Sequence, residues 1–143
     1  FSRGNFAVEV PYDPNYYFYG EEISMMLRAF TRGFSFFHIP DVPLFHLYTD
    51  VKNLPRKLHW DPEDDQNRVV KWQELDRRSI QRLDALIAGK LDGLMGLGLS
   101  RSLKEYSHIS GMDLQNKKVL DIKKATEPAF IESLDWKENP INT

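Results

Sequence analysis

Two adjacent carboxylates follow a glycine in the run Phe18-Tyr19-Gly20-Glu21-Glu22. Glycine permits a tight turn and a close backbone approach. At a strand-to-helix junction such a pair stands at an edge, where ligands of open α/β sheets bind. The same two glutamates could instead serve only to start a helix, because carboxylates in a first turn complement the helix dipole. Spacing alone leaves both roles open.

His46 lies in Leu44-Phe45-His46-Leu47-Tyr48. If this is a strand, Phe45 and Leu47 point to one face and His46 to the other. A neutral imidazole there could ligate zinc or a manganese-type ion beside carboxylates, or be an ordinary satisfied histidine. A third group is Lys52, Arg56 and Lys57, followed by His59 and Trp60. Such cations could clamp a diphosphate, and an indole could cover a sugar or a base. A solvated surface loop is the competing role. The run Glu63-Asp64-Asp65 reads as a solvated turn, since adjacent carboxylates do not all converge on one ion. The chain contains no phosphate-binding loop, no GxGxxG, no GxSxG, no HExxH and no Asp-x-Asp.

The elements that must position these residues are readable in outline. Val8-Glu9-Val10 alternates and is stopped by Pro11 and Pro14, which predicts a short strand. Tyr16 to Tyr19 predicts an extended apolar run closed by Gly20. Ile23, Met26, Leu27 and Phe30 recur on one helical face, predicting a helix over 21–32 that ends at Gly33. Strands are expected over 34–39 and 44–48, and a basic loop over 51–59. A long helix is expected over 67–88, with Val70, Leu75, Ile80, Leu83 and Ile87 buried. Gly93, Gly96 and Gly98 mark a loop. Ser102-Leu103-Lys104-Glu105 has the form of a capping box, so a short helix should start there and end at Ser110-Gly111. Leu120 and Ile122 could form a strand, and the residues from Trp136 onward are polar.

The 143 residues fit one compact domain or part of a larger one. With 19 basic and 21 acidic residues the net charge is −2, so no global basic field exists to hold a nucleic acid. There is no cysteine, which removes disulfides and thiolate metal sites and leaves His, Asp and Glu as metal ligands. The absence of cysteine suits a reducing compartment. No apolar run is long enough to span a bilayer and no signal-type segment stands at the start, so a cytoplasmic location is expected.

Taken together, three ordered segments resemble the polypeptide/hydroxyproline N-acetylglucosaminyltransferase family. They are Val10-Pro11-Tyr12-Asp13-Pro14, then residues 17–25 around Gly20-Glu21-Glu22, then Arg28-Ala29-Phe30-Thr31-Arg32-Gly33. His46-x-Tyr48, His59-Trp60, residues 97–106 and Ser110-Gly111-Met112-Asp113 extend the likeness to about residue 115. The resemblance implies an α/β fold, the C-terminal part of a GT-A nucleotide-diphospho-sugar transferase, with a mixed sheet and flanking helices. It divides the chain into a catalytic-core part (1–50), a basic loop with a helical extension (51–113) and a polar tail (114–143).

The implied reaction moves N-acetylglucosamine from UDP-GlcNAc to a protein hydroxyl or hydroxyproline. Glu21 and Glu22 take the catalytic positions, beside Tyr19 and Gly20 on the acceptor side. In an inverting course Glu22 would be the base; in a retaining one, either glutamate would orient the acceptor and steady positive charge on the sugar. His46 would be a ligand to a divalent metal, Mn2+ or Mg2+, and Arg56, Lys57, His59 and Trp60 would bind the donor diphosphate. The missing Asp-x-Asp departs from the pattern. It implies that the nucleotide-binding half is absent from this chain, that the chain alone is inactive, and that an exposed sheet edge could pair two copies. The competing reading is a non-catalytic module that binds a glycan or peptide through its aromatic front.

Overall fold

The computed structural model describes residue 2, residues 4–37 and residues 57–127. Its first element, α1 (Phe6–Glu9), is a single helical turn where a strand is expected at Val8–Val10. The Val10 N–H donates to the Phe6 carbonyl at 2.8 Å, and the Asn5 amide bonds the Glu9 carboxylate one turn on. Among the described residues a three-residue alternation has no sheet to join here, so local helical bonds win. Residues 16–19 likewise form no strand.

The expected helix after Gly20 is present as α2 (Glu21–Thr31). Its inner face carries Leu27, Ala29 and Phe30, all buried. A short acidic turn, α3 (Pro62–Asp65), precedes the long helix α4 (Trp72–Ile87). That helix starts later than the expected residue 67. The residue before it, Lys71, cannot cap it; instead the Asp65 carboxylate accepts the Trp72 N–H at 2.9 Å from across the intervening turn. Its buried positions are Ser79, Leu83 and Leu86, whereas Ile80, expected inside, is exposed. Tyr16, Leu27, Phe30, Leu83, Leu86 and Tyr106 form the core, where α2 meets α4 and a later helix.

That later helix, α5 (Leu103–Ser110), begins with the predicted capping box. The Ser102 hydroxyl accepts the Glu105 N–H at 3.2 Å, and Glu105 accepts the Ser102 N–H at 2.6 Å. Gly111 ends it in the left-handed region, φ 69°. A small antiparallel pair follows, β1 (Met112–Asp113) with β2 (Lys118–Val119). Ile122, expected in a strand, instead opens α6 (Ile122–Thr126), because Asp121 caps the Lys124 N–H at 3.1 Å. Among the described residues β1 and β2 are the only strands. Phe34 to Phe37 carry none, and the strand expected at 44–48 lies outside the described residues.

A splint holds the end of α2 to the glycine loop. Arg28 is 1% exposed, and its Nη1 donates to the Pro11 carbonyl at 2.8 Å and the Leu94 carbonyl at 3.1 Å. Arg32 donates to the carbonyls of Gly96 and Gly93, each at 2.9 Å. Thr31 accepts the Gly98 N–H on its hydroxyl at 2.7 Å, and its carbonyl accepts the Ser100 N–H at 2.9 Å. The Arg-x-x-Thr pattern and the loop before α5 therefore satisfy one another's backbone groups.

Candidate active site

Gly20 sets the start of α2. It sits in the left-handed region, φ 82°, and a side-chain Cβ there would lie 3.3 Å from both Leu83 and Tyr16. Glycine thus lets α2 begin hard against α4. The turn sends Glu21 and Glu22 outward, into a pocket of about 220 Å3 lined also by Phe6, Tyr12, Met25, Met26 and Phe36. The Tyr12 hydroxyl donates to the Glu21 carboxylate. That bond, with burial and the nearby charge of Glu21, raises the Tyr12 phenol above its ordinary pKa. Glu22 is exposed and has no hydrogen bond or ion pair among the described residues. One carboxylate is therefore held and its neighbour is free, on an otherwise apolar floor.

The turn before Gly20 is unusual. Tyr19 N–H donates to the Tyr17 carbonyl at 2.6 Å, closing a three-residue turn around Phe18 at φ 58°. A bulky residue in that region costs about 1–2 kcal/mol. Ser79 from α4 fixes the turn's entry by accepting the Tyr17 N–H at 2.6 Å. The Phe18 ring packs against His59 and Trp60, with centroids at 5.2 and 5.3 Å. His59 in turn meets Trp60 edge-to-face at 4.4 Å, and its Nδ1 is hydrogen-bonded to the Tyr17 hydroxyl.

The structure thus brings His59 and Trp60 together with the turn that leads to Glu21 and Glu22. Tyr19 is exposed, and neither it nor Gly20 lines the pocket. Lys57 pairs with Glu63 at 3.7 Å on the open surface, a contact worth little. Arg56 and His46 lie outside the described residues. Among the described residues no group of three or more His, Asp or Glu side chains is placed to hold a metal ion. Tyr12, Tyr17 and Ser79 were not singled out by spacing, and Phe18 only as the first residue of the run that leads to Gly20. Tyr12 sits in Val10-Pro11-Tyr12-Asp13-Pro14, but its bond to Glu21 spans a loop that no periodicity encodes.

No helix of the described residues is long and apolar enough to cross a membrane. Neither the curated proteins nor the solved structures contain a match to the chain. A protein-family model, described as glycosyltransferase (GlcNAc), matches residues 1–131. That match takes in the Tyr12–Glu21–Glu22 pocket, the His59–Trp60 cluster and the splint between α2 and the glycine loop, and with it the chain belongs to the glycosyltransferase (GlcNAc) family.

Proposed function

We infer that this chain carries the acceptor side of an enzyme that transfers N-acetylglucosamine from UDP-GlcNAc to a protein hydroxyl or hydroxyproline, on a fold of the GT-A class. The observation that carries the reading is the free carboxylate of Glu22 beside the Tyr12–Glu21 pair, in a chain of a GlcNAc-transferring family. The acceptor oxygen attacks C1 of the sugar, and the bond from C1 to the phosphate oxygen breaks. Glu22 receives a hydrogen bond from the acceptor hydroxyl. In an inverting transfer it takes that proton outright; in a retaining one it steadies the charge that develops on the sugar. Glu21, held by Tyr12, fixes the edge of the pocket. His59 and Trp60 border the donor. A divalent ion held by His46, the ligand that the family resemblance implies, would neutralise the leaving diphosphate.

The test is incorporation of labelled GlcNAc from UDP-GlcNAc, with manganese, into a hydroxyproline- or serine-bearing peptide. The full-length protein that contains this chain should transfer, and Glu22→Gln in it should be slower by about 100-fold or more with an unchanged melting temperature, because Glu22 is exposed. Equal rates for wild type and E22Q, or acceptor binding without any transfer, would overturn the reading. The anomeric configuration of the product, read by NMR, assigns the course.

A further inference from the structure

We propose that Phe18 contacts the substrate, stacking its ring on the pyranose of N-acetylglucosamine, with His59 and Trp60 as its backing. The assignment rests on the reading above that the donor is a GlcNAc nucleotide. Phe18 takes a left-handed backbone, φ 58°, that glycine would occupy freely, yet the residue is 64% exposed. Its contacts with His59 and Trp60 cover only part of the ring, so packing alone does not explain an aromatic residue there. A strained residue held by its surroundings points to a ligand contact.

The surroundings do hold it. Ser79 fixes the Tyr17 backbone on one side, and buried Gly20 fixes the exit on the other. His59 and Trp60 pack against the ring at 5.2 and 5.3 Å, so the rest of it meets solvent in a set orientation. An uncharged, flat-faced ligand suits this surface. The face of an aromatic ring is electron-rich and attracts polarised C–H groups. Apart from the axial phosphate at C1, the N-acetylglucosamine of a UDP donor carries its ring substituents equatorially and leaves such C–H faces open. The hydrogen-bonded Tyr17–His59 pair beside Phe18 supplies polar atoms at the rim for the sugar hydroxyls. The same turn that presents Phe18 leads within three residues to Glu21, so a stacked sugar would lie toward the carboxylates.

Calorimetric titration of UDP-GlcNAc and of UDP, with manganese, into the full-length protein that contains this chain, as wild type, Phe18→Gly and Phe18→Trp, tests this. Phe18→Gly removes the ring and relaxes the backbone, so its melting temperature should equal or exceed that of wild type. It should bind UDP-GlcNAc about tenfold more weakly, the loss of one stacked ring, while its affinity for UDP is unchanged. Phe18→Trp should stay within about threefold of wild type for both ligands, since it keeps a stacking face. Equal losses for UDP and UDP-GlcNAc would mean that the ring stacks on the base, and the assignment would be wrong. No loss for either ligand, or a melting temperature well below wild type, would also overturn it, and the transfer reading would stand. Wild-type protein that binds neither ligand would sink both.

Discussion

Asp13 is 2% exposed and sits in the segment that leads to Phe18. Burial alone would push its carboxyl up. The Arg82 Nε at 2.6 Å and two donors from Asn15 outweigh that push, and the net pKa lies below the usual carboxylate range. A folded value below the unfolded one, about 3.9, means the stabilisation is fully present above pH 4 and is lost as pH falls through the folded value. Arg82→Ala leaves the carboxylate buried without its cation and should cost about 3 kcal/mol at pH 7. Thermal melts from pH 7 to pH 3 check both points: the gap between wild type and R82A should be constant above pH 5 and narrow below pH 4. A gap that widens on acidification would be the wrong sign. At this scale the sequence exposed Glu21, Glu22, His59 and Trp60, because unusual residue types cluster locally. It did not expose Asp13–Arg82 or Tyr12–Glu21, since these pairs are made by loops whose course is set by the whole packing.

Helices α2 and α5 were legible because their signals are short-range: an apolar stripe, first-turn carboxylates, a capping box and stopping glycines. The start of α4 was not, because its cap comes from Asp65, outside the element. The short strand near Val8 failed for the converse reason: alternation over three residues says nothing without a partner strand. The mixed sheet expected of a GT-A core rested on segments over 34–39 and 44–48, most of which lie outside the described residues. The splint between α2 and the glycine loop makes a sharper element-scale prediction. A Cβ on Gly98 would lie 2.5 Å from the Thr31 carbonyl oxygen. Gly98→Ala must therefore break the Gly98–Thr31 bond or move the loop, and should destabilise by about 2 kcal/mol or more. Ser102→Ala, which removes only a cap, should cost about 1 kcal/mol. Urea titrations of both variants should rank them in that order.

Across the molecule, stability should be graded. Leu27 and Leu86 are fully buried where α2 and α4 pack against each other, whereas α6 buries no residue. Amides that are bonded and buried exchange only through global unfolding, and exposed short helices open locally. Hydrogen-exchange mass spectrometry should find residues 24–31 and 83–86 the slowest, and residues 122–126 exchanging with little protection. Uniform protection across these segments would contradict the packing.

The splint has one further consequence, for a chain as it is being made. The Thr31 carbonyl is satisfied by the N–H groups of Ser100 and Arg101, and its hydroxyl by Gly98, 67 residues downstream. As the polypeptide leaves the ribosome, α2 is synthesised before that loop and cannot close its C-terminal end until the loop has emerged. At a synthesis rate of about 5–20 residues per second, the wait lasts about 3–13 seconds. Through that interval Leu27 and Phe30 stand uncovered by their later partner Tyr106. The nascent segment around α2 is thus a natural client for a chaperone that binds apolar segments.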